Sequence, residues 1–442
     1  MTDTKKALGD GAISPAAKVL RVFGGFYVLS DLLLFLALPL GGRMRPTWYA
    51  VQMALGLAAF AVAALLQAKK NAGLSPLLLQ IAGWETIILL LWMLWGGTAC
   101  LLAVKAGMAS LRQNIPYLFD FAVCALLLFP LGLCLGKKRD TRFLHILTDA
   151  GGAVFLLFSL AAILSRITGR EPFELFGHSY GLNSLGRLAV GSNPNTTGAL
   201  AVFFLLAGLY RIGSASAGGK LWWGVSCGVY ALTLYWSRCR AGLVALAGAG
   251  AVYVFVLLWR GAKSSTVRKG LCFAAAGLLL GTGILLFRLL KLRGGEIQVR
   301  GGNLLQLGSR TMIWSAVIEA LKSDRSLLMR GCSPGSVLSY VTGLGATFET
   351  TVNTHNQFLE ILIGQGLPGL TLYTLWLIPV IRKGLKLLFS REPGGRWLLP
   401  LILVGLLIEN LAEAMLVFQH QYTGCMFFLT AGFICGLVRK AE

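Results

Sequence analysis

About twelve stretches of roughly 20 mostly apolar residues follow one another along this chain, each long enough to cross a bilayer as a helix. They fall at 18–40, 47–67, 76–104, 117–136, 143–165, 195–211, 219–236, 239–259, 268–290, 357–381, 396–417 and 419–437. Inside a membrane the backbone must satisfy its own hydrogen bonds, so apolar runs of this length read as helices. The predicted fold is therefore an all-α polytopic membrane protein with one membrane domain over 1–442. A single large external loop is expected at 291–356. Composition agrees: 56% of the residues are hydrophobic and only 13% charged, with a mean hydropathy of +0.72. This excludes a soluble enzyme, a disordered chain and a secreted disulfide scaffold. The first apolar run lacks a clear small-residue cleavage site and is read as an uncleaved span.

The remaining charge is strongly basic, with 40 Lys+Arg against 18 Asp+Glu. When the spans alternate from a cytoplasmic N-terminus, every inner loop carries bases, as the positive-inside rule requires. Both termini then fall on the cytoplasmic side. The outer side should be poor in bases, yet it receives Arg166, Arg170, Arg187, Arg238, Arg240, Arg310 and others. Long translocated loops escape the rule, which accounts for the bases in 291–354. It does not account for Arg238 and Arg240, in a hairpin almost without a loop.

Four constellations could carry chemistry. The first is Thr354-His355-Asn356 running through Glu360 to Gly366, where the external loop enters the tenth span. Eleven helical steps would return Gly366 nearly to the face of His355. A histidine at the rim can act as a base or donor near neutral pH, and the glycine would admit a close neighbour. The bland alternative is an interfacial histidine above a packing seam. The second is Ser237-Arg238-Cys239-Arg240, whose guanidinium forks suit a phosphate. Its alternative is an anchor for the helix ends. The third is Ser309-Arg310 with Ile313, Trp314, Val317, Ile318 and Leu321. This predicts an amphipathic helix capped by Ser309 and lying on the outer membrane surface, or else a plain packing helix. The fourth is Arg187 followed by Asn193-Pro194-Asn195, a turn that opens a helix. Asn195-Thr196-Thr197 also matches a glycosylation sequon.

Acids within or next to spans are Asp31, Glu85, Asp149, Glu360, Glu409 and Glu413. Buried acids in membranes are functional until shown otherwise, and the last three are placed to orient His355 or an arginine. Glu171, Glu174 and His178 share helical spacing and could hold a metal, although Pro172 and Gly177 oppose a regular helix. The nine cysteines show no CxxC pair and read as small core residues. No metal, cofactor or nucleic-acid partner is expected.

Taken in order, these motifs resemble the O-antigen ligase and O-antigen polymerase superfamily. His355-Asn356, nine residues, then Gly366 matches the superfamily's pattern, with Leu367 as a conservative departure at the last place. Ser237-Arg238 with Ala241-Gly242, Arg310 with Trp314, and Asn193-Pro194-Asn195 precede it in the expected order. The motif-bearing region covers about 180–430, and the remainder agrees by topology. The resemblance implies a GT-C-like membrane fold and a glycosyltransferase of the bacterial inner membrane, with its site on the extracytoplasmic face. It implies an undecaprenyl-diphosphate-linked glycan as donor, an inverting, metal-independent transfer, and as acceptor a hydroxyl of lipid A core, a growing polysaccharide or another surface molecule. Arg238 and Arg310 would hold the diphosphate and His355 would activate the acceptor. Arg187, Arg240, Asn193, Trp314, Asn356 and Glu360 would support substrate binding. The alternatives are a polymerase of the same superfamily, a transporter of an anionic solute and, last, a non-catalytic scaffold.

Overall fold

The computed structural model describes residues 15–36, 44–68, 83–169, 173–175, 178–183, 186–191, 193–275, 277, 298–299, 302–303, 308–337, 340, 343, 354–390, 392, 395–417 and 422–439. Within these, the apolar runs are helices. They are α1 (Pro15–Leu36), α2 (Met44–Ala68), α3 (Trp84–Lys105), α4 (Leu111–Lys138, with a π-helical turn at Cys124–Leu128), α5 (Arg142–Thr168), α6 (Pro194–Ser214), α7 (Ala217–Ser237) and α8 (Arg240–Gly261). Next come the loop helices α9 (Gly308–Ser323) and α10 (Arg325–Arg330), then α11 (Gln357–Leu388), α12 (Leu399–Glu409) and α13 (Tyr422–Arg439). Among the described residues, seven helices are long and apolar enough to span a membrane. The expected span at 268–290 is helical over its described start, and most of it lies outside the described residues.

The centre of the bundle is a close parallel pair, α4 and α13. Gly132 and Gly136 of α4 face the carbonyls of Leu429 and Phe433, and Gly432 and Gly436 of α13 face those of Phe129 and Leu133. A Cβ at any of these four positions would collide with backbone. Two small-xxx-small motifs thus lock face to face, as helices do where the surrounding lipid gives no hydrophobic drive. Beside this pair an aromatic core joins α3, α4, α11 and α13: Trp92 and Phe121 rings lie 4.5 Å apart, and Trp376 and Phe428 rings 5.1 Å apart. Large apolar residues such as Leu94, Leu164, Leu221 and Val244 are exposed on the bundle's outside, the arrangement lipid contact allows.

Two acids within spans prove to be structural. Asp149 receives a two-pronged bond from Arg211, Nε at 2.8 Å and Nη2 at 2.7 Å. Glu85 pairs with Lys383. Each removes the cost of an isolated charge in the bundle.

Several expectations are corrected. The segment holding Glu174 and His178 is an antiparallel hairpin, with β1 (Phe173–Leu175) and β2 (His178–Leu182) pairing and β3 (Leu188–Val190) completing a small sheet. Helical spacing therefore does not bring these residues together; Glu171 lies outside the described residues. The expected span at 396–417 stops as a helix at Glu409, and 410–417 continues as irregular chain. Irregular backbone at membrane depth is tolerated where protein encloses it, and Glu413 to Val417 are indeed buried. Helix α9 begins at Gly308, one residue before its expected cap Ser309. Its stripe is narrower than expected: Ile313, Val317 and Leu321 are buried while Ile318 is 46% exposed. The stripe packs on Leu327, Cys332, Val337 and Ile363, so it serves a small core of the protein's own.

Candidate active site

The sequence Asn356-Gln357 opens α11 because Asn356 is an efficient cap. Its side-chain oxygen accepts from the backbone N–H of Phe358 and Leu359, both at 3.0 Å, and its Nδ2 donates to Leu411 O at 2.9 Å. One side chain thus ties the helix start to the irregular 410–417 run. Glu360, buried in the first turn, reaches back to accept from Thr354 N at 2.8 Å. Trp314 Nε1 donates to Thr354 O at 2.8 Å, fastening α9 over the same corner.

Held between these bonds, His355 precedes the helix with φ +52°. That left-handed conformation is uncommon for a residue with a Cβ and is found where surroundings impose it. The expectation that His355 and Gly366 share one helical face fails on two grounds. His355 is outside the helix, and Gly366 breaks it with φ +68°, ψ −173°.

That break explains the glycine. A Cβ on Gly366 would lie 2.6 Å from the carbonyl group of Met329 in α10. The carbonyls released from the helical ladder find other donors. Ile363 O accepts from Cys332 N at 2.8 Å, Gly364 O from Ser333 N at 2.9 Å, and Gln365 O from Trp95 Nε1 at 2.8 Å. The Cys332–Ser333 segment that follows α10 is thereby hydrogen-bonded into the gap in α11.

Glu413 joins the chemistry. Its Oε2 lies 2.8 Å from His355 Nδ1, and its Oε1 accepts from Arg310 Nη2. The carboxylate is 1% exposed, whereas the Arg310 and His355 side chains are each 20% exposed. A buried acceptor-only group on Nδ1 assigns the proton to that nitrogen and orients the ring. Of the three late acids read from the sequence, Glu413 is the one that orients both His355 and Arg310. Glu409 is fully buried, and neither of its carboxylate oxygens has a hydrogen-bond partner among the described residues.

The other arginines gather nearby. Arg187 sits at the turn between β2 and β3. Its Nη2 donates to Asn195 Oδ1 at 2.5 Å and its Nε to Ser237 O at 2.9 Å, joining the α6 start to the α7–α8 junction. Burial lowers the Arg187 guanidinium from its ordinary value; Arg240 and Arg310 push the same way, while Cys239 and Glu413 oppose them. Arg187 therefore lies within the fields of Arg240, Arg310 and Glu413. Arginine remains charged under any working condition. Arg238 adopts φ +50° as the cap ending α7, and it and Arg240 are exposed. The structure thus groups His355, Arg310 and Glu413 by direct bonds, with Arg187 within reach of the fields of Arg310 and Glu413 and of Arg240. It shows no direct bond from Arg238 to this group.

Two expected binders have structural duties. Asn193 caps α6, accepting from Asn195 N at 2.8 Å, and Asn356 caps α11. The sequon asparagine is bonded to Arg187, and Thr196 and Thr197 are buried. Asn195 and Ser237 stand within the sequence motifs, but their role in holding Arg187 depends on a fold contact that spacing does not reveal.

Residues 225–374 match the family model described as O-antigen ligase. That stretch contains Arg238, Arg240, Arg310, His355 and Gly366. The chain is also 25% identical over 341 residues to the exopolysaccharide production protein ExoQ of Rhizobium meliloti (strain 1021), covering 73% of this chain and 71% of the relative. Both findings support a place for the chain in the O-antigen ligase and polymerase superfamily. The histidine and distant glycine in the matched stretch have a physical content: the histidine is held by Glu413, and the glycine is the break at which α10 and the segment after it dock. Glu413 and Arg187 lie outside the matched stretch and are tied to it by the fold alone.

Proposed function

We propose that this protein transfers a glycan from undecaprenyl diphosphate to an acceptor hydroxyl at the His355 centre, on the extracytoplasmic face. The observation that carries this reading is the single buried carboxylate of Glu413 shared by His355 and Arg310. It couples a base to a phosphate-binding fork at fixed spacing.

The chemistry follows from the groups present. With Glu413 accepting from Nδ1–H, the other ring nitrogen, Nε2, is the basic one and receives the acceptor's hydroxyl proton. The hydroxyl oxygen attacks the sugar's anomeric carbon as the bond to the diphosphate oxygen breaks, inverting the centre. The leaving lipid diphosphate gathers negative charge. Arg310, with Arg187 and Arg240 contributing to the same positive field, stabilises that charge without reorganising. Arg238, exposed beside them, is assigned to the diphosphate as well. The inferred path needs no metal at this centre.

A second reading is favoured by a specific observation. The relative's name concerns exopolysaccharide production, which suits repeated addition to a growing chain better than a single transfer. Reconstitution with an undecaprenyl-diphosphate-linked oligosaccharide separates the two. A single product on a lipid A core acceptor supports ligation. A ladder of products supports polymerisation. Solute uptake into proteoliposomes with no glycan transfer would instead favour a transporter.

A further inference from the structure

Apart from the His355 centre, residues of α1, α4 and α13 form a second polar cluster that this function does not use. Asp120, Cys124 and Cys425 are all buried, and their ligand atoms lie within 4.8 Å of one another. Asp120 and Cys124 stand four residues apart on α4, which places them on one face. Cys124 opens the π-helical turn Cys124–Leu128, an irregularity that occurs frequently at functional sites. Around this core runs a shell of oriented groups. Tyr27 Oη donates to Asp120 Oδ1 at 2.8 Å. Asp31 Oδ2 accepts from Cys425 Sγ at 3.4 Å, and Asp31 Oδ1 from Gln52 Nε2 at 3.0 Å.

A polar group inside a bundle is costly unless partnered. Asp149 and Glu85 meet that cost with arginine and lysine. Asp31 is partnered by an amide and a thiol.

We infer that Asp120, Cys124 and Cys425 form a binding site for one borderline-soft divalent ion of the zinc class. Two thiolates and a carboxylate are a fitting donor set for such an ion. Tetrahedral bonds of about 2.3 Å to sulfur and about 2.0–2.2 Å to oxygen put ligand atoms about 3.4–3.8 Å apart. The observed spacing reaches that with side-chain shifts of about 1 Å or less. Tyr27 and Asp31 supply the outer contacts that such ligands generally have. Uptake releases the two thiol protons to solvent as one dication enters, so the cluster's charge is unchanged. The ion would fasten α4 to α13 beside their glycine contact, a structural role separate from glycan transfer.

The test uses the purified full-length protein in detergent, exposed to zinc chloride and passed through gel filtration. One zinc per chain is expected, with Cys124→Ser and Cys425→Ser each binding at least about tenfold more weakly and Tyr27→Phe about 10–100-fold more weakly. Cys134→Ser, outside the cluster, should bind as the unaltered protein does. Cobalt loading of the unaltered protein should give the visible bands of a tetrahedral thiolate site, a readout that does not depend on whether a variant folds. Absence of retained zinc and of those bands would overturn the inference. Equal retention by the Cys124→Ser/Cys425→Ser double variant would mean an adventitious ion only and would overturn it too.

Discussion

Glu413 accepts from the Nδ1 of His355 at 2.8 Å although 58 residues separate them in the chain. The same carboxylate holds Arg310 of α9. Glu413→Gln keeps the shape of this junction and removes its charge. Loss of an oriented base costs about 10²–10⁴-fold in rate, so glycan transfer should fall by at least about 10²-fold with membrane insertion unchanged. The check is in vitro transfer normalised to folded protein. Undiminished transfer would remove Glu413 from the mechanism.

Arg310→Lys preserves the positive charge but not the planar fork that meets carboxylate and phosphate together. Transfer should be strongly reduced, and Lys should rescue little relative to Arg310→Ala. Titration of donor concentration against rate, for both variants, measures this directly.

Gly366→Ala places a Cβ against the Met329 carbonyl group and forces a non-glycine residue to φ +68°. Such backbone strain alone costs about 1–3 kcal/mol. Thermal unfolding in detergent should show a lowered midpoint, and transfer should fall because α10, on which the Arg310 helix α9 packs, docks at this break. A methyl group added at Gly97 would meet nothing within 4 Å, so Gly97→Ala should leave both properties nearly unchanged.

Asp324 caps α10, accepting from Ser326 N at 2.8 Å, Ser326 Oγ at 2.6 Å and Leu327 N at 3.3 Å. The Ser326 hydroxyl bond, with the backbone bonds and Arg330, holds its carboxyl below the ordinary value. Its contribution is therefore complete above the unfolded carboxylate range and disappears as pH falls through the lower folded value. Hydrogen exchange of the α10 amides should show protection lost on acidification. In Asp324→Asn that acid-dependent step should be absent.

The apolar runs made most of the fold legible, because twenty residues without charge leave few alternatives in a bilayer. Arg238 and Arg240 were legible because the positive-inside expectation gave no account of them, and His355 because it stands where the tenth apolar run begins, eleven residues before Gly366. What spacing could not reveal was which of the three late acids partners the histidine. Glu413 sits in a stretch apolar enough to pass for the end of a span, and only the stop of α12 at Glu409 turns it toward Arg310 and His355. Helical spacing misplaced His355 relative to Gly366 because periodicity assumes an unbroken helix, and Gly366 is the break. The Glu174–His178 spacing failed for the complementary reason, since a hairpin follows a different period.

If His355, Arg310 and Arg238 carry glycan transfer from a lipid diphosphate, the donor's two halves must part at their expense. The most direct measurement is release of undecaprenyl diphosphate and formation of glycosylated acceptor in liposomes, comparing the unaltered protein with His355→Ala, Arg310→Ala and Arg238→Ala. Both products should appear together with the unaltered protein and be abolished in each variant, while insertion and thermal stability persist. Full transfer activity in all three variants would contradict this assignment.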